Sequence, residues 1–443
     1  MLKRSAYNVV FDDEKTGDLV CYNSFSGKFV VFGAMTRGEA EDALDNPGAV
    51  TGNAHLLLEK HGLLVPVDLD EVIAVEARNH AWKTAGQMML TVSLTQACNL
   101  DCPYCFEPHL ARSTMSRDVC TRLLMYVKRS LPSKSGLHID WYGGEPLARF
   151  DLLVEMDKAI GAMCGDAGVR FTSSISTNGT LLTQERAALL AKQTSVQSVR
   201  ICLDGPPEVH DRYRPFAGGR ATFDTIWRNL ESAISHLKVK IRVNVDKGNE
   251  AHVATLLDLL AASTLNGSNL SVVIKPIVSA RLRPRDNAYT PMEWAQVGPR
   301  LKQAVLDRKL SLEGGGERTC SHCAVFNNDQ FMVDHRGNLY KCSDTFAPEE
   351  SVGRILEGGQ IEVDTKKVDP WTAFPTHYDT NCRSCAALPL CMGGCTFRRL
   401  AFSANWCGAE RYDLQAHAQL RYNASRARRT SPDIILDRPV VEV

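Results

Sequence analysis

"MLTVSLTQACNLDCPYC", residues 89–105, runs from an alternating apolar stretch straight into three cysteines, Cys98, Cys102 and Cys105. Its first six residues predict a strand, because apolar side chains alternate with Thr91 and Ser93 and suit a pleated, half-buried surface. Five comparable stretches follow: "LHIDWY" (137–142), "RFTSSIS" (170–176), "SVRICL" (198–203), "KIRVNV" (240–245) and "LSVVIKPI" (270–277). Segments such as "SRDVCTRLLMYVKRSL" and "TQERAALLAKQ" lie between them, with apolar residues at helical spacing. Strands alternating with helices predict a parallel sheet with right-handed crossovers, either most of a (β/α) barrel or an open doubly wound sheet. In both, chemistry belongs at the C-terminal ends of the strands. The cysteine loop follows the first strand, "GGEP" (143–146) the second, "TNG" (177–179) the third, "DGP" (204–206) the fourth and Asp246 the fifth. One rim collects all the unusual residues.

At 443 residues the chain has room for two or three domains. Lys+Arg and Asp+Glu both total 51, so charge implies no nucleic-acid partner. The opening "MLKRSAYNVVFDDEK" is too short of apolar residues for a signal peptide, and no apolar run is long enough for a membrane span. A cytoplasmic protein is expected, and in that reducing compartment its 15 cysteines point to metal or catalysis.

Five segments are predicted. Residues 1–85 hold three short strand-like runs, "YNVVF", "LVCYNS" and "KFVVF", then helical stretches near 37–44 and 55–61, a pattern resembling a winged helix. Residues 88–280 carry the strand–helix repeat. Residues 281–318 form a bridge with a helix from Pro291 to Asp307, and 319–410 are rich in cysteine. The tail, 411–443, reads as a solvated helix and strand without a role.

The C-x3-C-x2-C loop demands a metal. Zinc would need His109 as a fourth ligand, yet structural zinc sites build on C-x2-C pairs. Three thiolates suit a [4Fe–4S] cluster with one iron left for another ligand. With "GGEP" and the barrel pattern, the loop resembles the radical S-adenosylmethionine (SAM) superfamily. The resemblance implies that SAM binds the open iron and is cleaved by one electron, from a flavodoxin or ferredoxin, to a 5′-deoxyadenosyl radical that abstracts hydrogen. It places Tyr104 against the adenine, and Gly143, Gly144, Glu145 and Pro146 at the SAM amino group. Ser176 and Asn178 fall near its ribose or carboxylate. Within "LDGPPEVHDRYR", Arg214 becomes a carboxylate partner.

The later cysteines alone fit two zinc ribbons. Behind a radical SAM barrel they resemble the SPASM domain, which implies two auxiliary [4Fe–4S] clusters and three in all. That resemblance assigns Cys320, Cys323, Cys342 and Cys395 to one and Cys382, Cys385, Cys391 and Cys407 to the other. Cys21, Cys120, Cys164 and Cys202 remain as packing residues. The family implies a maturase acting on a ribosomally made precursor peptide, its leader read by the N-terminal unit. Alternatives are a sulfatase-type formylglycine maturase or a zinc module without catalysis. The former resemblance calls for Asp directly after the Cys of the G-x4-C step, where this chain has Ser343 and then Asp344. Asp344 is the candidate general base, with Glu107, Asp140 and Asp204 as substitutes.

Overall fold

Short alternating segments make the first strands: β1 (Leu2–Arg4), β2 (Asn8–Asp12), β3 (Leu19–Asn23), β4 (Phe29–Phe32) and β5 (Leu64–Pro66). β2, β3 and β4 form an antiparallel meander, and β1 pairs with β5. Helices Arg37–Asp45 and Asn53–Lys60 cover one face of the meander through Ala40, Leu44 and Leu58. A third helix, Glu71–Lys83, is absent from the sequence expectation; Asp70 caps it, and Val72 and Val75 join the main core. The computed structural model describes residues 1–48, 51–84, 86–105, 113–277, 286–313, 324–345, 347–402, 406–427 and 434–437.

The central sheet holds β6 (Gln87–Thr95), β7 (Gly136–Gly143), β8 (Arg170–Thr177), β9 (Val196–Cys202), β10 (Lys238–Val245) and β11 (Leu270–Pro276). All five neighbouring pairs are parallel, and spatial order follows chain order from β6 to β11. A doubly wound sheet would reverse order at a switch point, so this is the partial barrel. Ser116 and Thr183 cap two of the crossover helices, Arg117–Ser130 and Gln184–Gln193.

Period-2 alternation gives the sheet two unlike faces. Leu90, Val92, Ile139, Trp141, Ile175, Val199, Ile201, Ile241 and Val243 are buried in one core with helix residues such as Leu123, Leu153 and Leu230. The intervening His138, Asp140, Ser174, Ser176, Arg200, Lys240 and Arg242 stay half-buried on the other face.

On its far side β6 pairs in parallel with β12 (Gln330–Val333). β13 (Asn338–Tyr340), β14 (Gly353–Ile355) and β15 (Ile361–Val363) then continue the sheet antiparallel, so the cysteine-rich region grows from the barrel's own sheet. The bridge helix Pro291–Asp307 starts on a capping box of Thr290 and Glu293.

The described helix of the tail is packed, not solvated. Helix Leu414–Ala427 buries Ala418, Leu420 and Tyr422, and Ala418 and Tyr422 cover the second face of the first sheet beside Phe11, Val20 and Phe29. Arg426 pairs with Asp13 across that contact. The last strand, β16 (Ile434–Asp437), then lies parallel to β4 as a fourth strand. Arg428 and Arg429 lie outside the described residues. No described helix is long and apolar enough to cross a membrane.

Candidate functional site

The cysteine loop is held from below by the "GGEP" turn. Gly143 has φ +121°, and a Cβ there would lie 2.2 Å from the Thr95 carbonyl oxygen. A Cβ on Gly144 would lie 2.6 Å from the carbonyls of Gln96 and Ala97. Glycine lets two backbones meet, and the amides of Gly144 and Glu145 donate to Thr95 and Ala97, both at 2.9 Å. This contact fixes the approach to Cys98. Pro146 opens the short turn Pro146–Arg149 that follows.

Glu145 is already engaged within the protein. It is fully buried and accepts from Leu147 N (2.9 Å), Thr177 Oγ1 (2.7 Å) and Asn178 N (2.8 Å). Its carboxylate ties the ends of β7 and β8 together. Asn178 is likewise a strut: its amide donates to Asn99 Oδ1 at 2.8 Å and reaches Cys98 Sγ at 3.8 Å. Its own oxygen accepts from Thr180.

Cys98 is exposed, and Cys102 and Cys105 are half-buried. Burial pushes the Cys102 thiol up to about 12, opposed by Arg214 and reinforced by Cys105 and Cys98. Tyr104, between them, donates to Asp204 Oδ2 at 2.5 Å and accepts from Arg214 at 2.5 Å. Asp204 is completely buried and also accepts from the Asn244 backbone amide at 2.8 Å. Burial pushes Asp204 above the usual carboxylate range, against Arg214. The Arg214 Nε is buried without a hydrogen-bond partner among the described residues. That orphaned donor beside the loop suits a ligand carboxylate.

Ser176 stands in a network of the polar face. Its hydroxyl donates to Asp140 at 3.0 Å and accepts from Arg200 at 2.9 Å, while Ser174 donates to Asp140 at 2.8 Å. His138 contacts Thr172 and Ser174, and burial lowers its pKa. Lys240 pairs with Glu313 at 2.6 Å. Sequence reasoning named Asp140 and Ser176 but missed this constellation; its available signal was the polar residue at every second strand position.

In the cysteine-rich region, Cys382, Cys385, Cys391 and Cys407 line one small cavity with Tyr378, Leu388 and Trp406. The turn after Cys391 explains the grouping. Met392, Gly393 and Gly394 have φ of +48°, +81° and +78°, and a Cβ on Gly394 would lie 1.7 Å from the Trp406 carbonyl oxygen. This left-handed run lets the Cys395 amide donate to Trp406 at 3.3 Å, with Cys395 exposed. The Gly408 amide donates to Cys391 Sγ at 3.3 Å, and burial pushes Cys391 up to about 12 and Cys382 up to about 11.

Four thiols around a cavity fit an iron–sulfur cluster. Among the described residues, no three His, Cys, Asp or Glu stand at the spacing of a single ion. Cys342 follows β13 and is half-buried, whereas Cys320, Cys323, His109 and Glu107 lie outside the described residues. Asp344 sits in the turn Ser343–Thr345, where burial raises its pKa and Arg398 and Arg242 oppose the rise. Arg242 belongs to β10 of the barrel.

Residues 92–260 match the radical SAM superfamily. The serine-type anaerobic sulfatase-maturating enzyme of Klebsiella aerogenes is 24% identical over 68% of this chain and 77% of its own length. The mycofactocin maturase MftC of Mycobacterium tuberculosis is 26% identical over 74% of this chain and 83% of its own. A solved structure of anSMEcpe with bound AdoMet and the Cp18Cys peptide covers 77% of this chain and 98% of its own, with a TM-score of 0.58 and 18% identity. At that identity the likeness concerns the fold.

Proposed function

Because the chain is a radical SAM enzyme with a SPASM region, related to maturases of peptides and proteins, we propose that it oxidatively modifies a ribosomally made precursor peptide. It works in the cytoplasm with an electron donor of the flavodoxin or ferredoxin kind. SAM and three [4Fe–4S] clusters, when bound, supply hydrogen abstraction and a route for the departing electron. Cys98, Cys102 and Cys105 would hold the first cluster, and Arg214 the SAM carboxylate. Gly143, Gly144 and Pro146 shape the turn at the amino group, and Tyr104 flanks the adenine. Cys382, Cys385, Cys391 and Cys407 would hold the second cluster, and Cys342 and Cys395 the third, with Cys320 and Cys323.

The observation that carries this reading is Asp344, one residue beyond the neighbour of Cys342, a carboxylate whose pKa burial raises while Arg398 and Arg242 oppose the rise. An oxidation removes a proton as well as an electron, and a carboxylate between barrel and auxiliary cysteines can take that proton. The N-terminal unit reads the leader of the precursor. Asp344 also favours this reading over the sulfatase type, since Ser343 stands where that type calls for Asp. The test is Asp344→Asn, assayed anaerobically with a precursor peptide that the wild-type enzyme modifies. The variant keeps forming 5′-deoxyadenosine, while oxidised peptide falls at least about tenfold, the loss of one general base being worth about 10²–10⁴ in rate. Unchanged coupling would move the base to Asp140.

A further inference from the structure

Neighbouring strands of the central sheet carry cations on its polar face, and those cations are not all matched. Arg200 of β9 stands in register opposite Lys240 of β10, like charges that repel unless each finds a counter-ion. Arg200 donates to Ser176 at 2.9 Å and lies 3.6 Å from Asp140, while Lys240 pairs with Glu313 at 2.6 Å. Arg242, two residues further along β10, is the exception. Its Nε donates to Asn244 Oδ1 at 2.7 Å, yet among the described residues no carboxylate pairs with it and its Nη atoms have no hydrogen-bond partner. The side chain is half-buried, so its charge is partly withdrawn from water without compensation.

The bond to Asn244 decides where that unused charge stands. Asn244 is buried, and its amide donates to Asp204 Oδ1 at 3.1 Å and to the Tyr104 hydroxyl at 3.3 Å. Tyr104 lies between Cys102 and Cys105, so Arg242 is two hydrogen bonds from the three-cysteine loop. Lys275, in register opposite Asn244 on β11, adds an exposed cation on the same face. Asp344 feels Arg242 through space but makes no ion pair with it. An arginine fixed at Nε with its Nη atoms unused can grip a carboxylate through two parallel hydrogen bonds.

We infer that Arg242 is a substrate-binding residue that selects a carboxylate beside the radical site, an Asp or Glu side chain of the peptide or its own C-terminus. This rests on the precursor-peptide reading only for the substrate being a peptide. A carboxylate brings the charge that the face lacks, whereas an amide of the same shape would put a donor against the fork. Discrimination therefore comes from attraction and from an unpaired alternative together. Because Asn244 holds the fork near Tyr104, the residue bearing that carboxylate, or its neighbour, is the one presented for hydrogen abstraction.

The test uses the reconstituted full chain with SAM bound, and small probes in place of a precursor. The probes are N-acetyl-glutamate N-methylamide, its isostere N-acetyl-glutamine N-methylamide, and N-acetyl-alanine for a C-terminal carboxylate. Binding is titrated by saturation-transfer NMR in the wild type, Arg242→Gln and Arg242→Lys. The wild type should bind one of the acids at least about tenfold more tightly than the glutamine probe, as a charged hydrogen bond requires. Which acid does so tells side chain from C-terminus. That preference should fall below about threefold in Arg242→Gln. In Arg242→Lys, which keeps the charge without the fork and serves if the first variant does not fold, it should drop at least about threefold. Equal binding of acids and amide by the wild type, or a preference that survives substitution, would overturn the inference. A loss of SAM affinity of about tenfold or more in Arg242→Gln would overturn it too, since the fork would then serve SAM. Acid probes that behave as expected while no precursor peptide is modified would sink the precursor reading and leave the Arg242 site standing.

Discussion

The two sets of cysteines in this chain solve opposite problems. Cys98, Cys102 and Cys105 share one short loop on the barrel rim, and Cys98 is exposed. Cys382, Cys385, Cys391 and Cys407 are brought together from separate turns around a small cavity. The first set is positioned from outside, by Gly143, Gly144 and Asn178 of neighbouring strands. The second is positioned from within, by the left-handed turn at Met392–Gly394. A site that must exchange ligands leaves one position open and rests on a rigid sheet. Four thiols around one cavity suit a group held from several sides at once.

Replacing Cys98, Cys102 and Cys105 together with Ala strikes the open site alone and carries the largest expected effect. SAM cleavage disappears, and about 4 of about 12 irons are lost while the auxiliary clusters persist. Iron analysis beside a 5′-deoxyadenosine assay checks this; retained cleavage would break the contrast. Gly144→Ala comes next, since its Cβ would meet two backbone carbonyls that cannot move aside. Loss of the rim cluster's absorbance with the auxiliary clusters intact is expected, and SAM cleavage falls at least about tenfold, the equivalent of about 1.4 kcal/mol.

Arg214→Lys keeps the charge and loses the planar fork. SAM binding, measured by isothermal titration, should weaken about 10–100-fold, matching the roughly 1.5–3 kcal/mol of a charged hydrogen bond. Glu145→Gln is the mildest change and separates strut from ligand. An amide opposite the Asn178 N–H leaves a donor facing a donor, costing about 1–3 kcal/mol of stability. The melting temperature should fall while SAM affinity stays within about threefold, the value of about 0.6 kcal/mol. A large loss of affinity at unchanged stability would return Glu145 to the ammonium.

The strands were legible because each carries its own evidence. "KIRVNV" alternates Ile241, Val243 and Val245 with Lys240, Arg242 and Asn244, and the structure places the first three in the core. The helix Glu71–Lys83 was not legible, since "EVIAVEARNHAWK" mixes Asn79 and His80 into its apolar positions. Asn79 is nevertheless buried there, tolerated by packing that the sequence does not display. Glu145's partners were illegible for a similar reason: a carboxylate in a glycine turn looks free in sequence, while in the fold Thr177 and Asn178 close on it.

The sequence by itself determined where the strands lie along the chain, the rim on which the unusual residues gather, and the three-thiol loop, because periodicity and spacing are local properties of the chain. Only the tertiary structure decided which groups are already engaged. Glu145 finds its partners 32 and 33 residues away, and β16 finds β4 across almost the whole chain. Such pairings depend on which surfaces docking brings face to face. A segment as short as Ile434–Asp437 has too few side chains to announce its partner, so the folded sheet chooses for it.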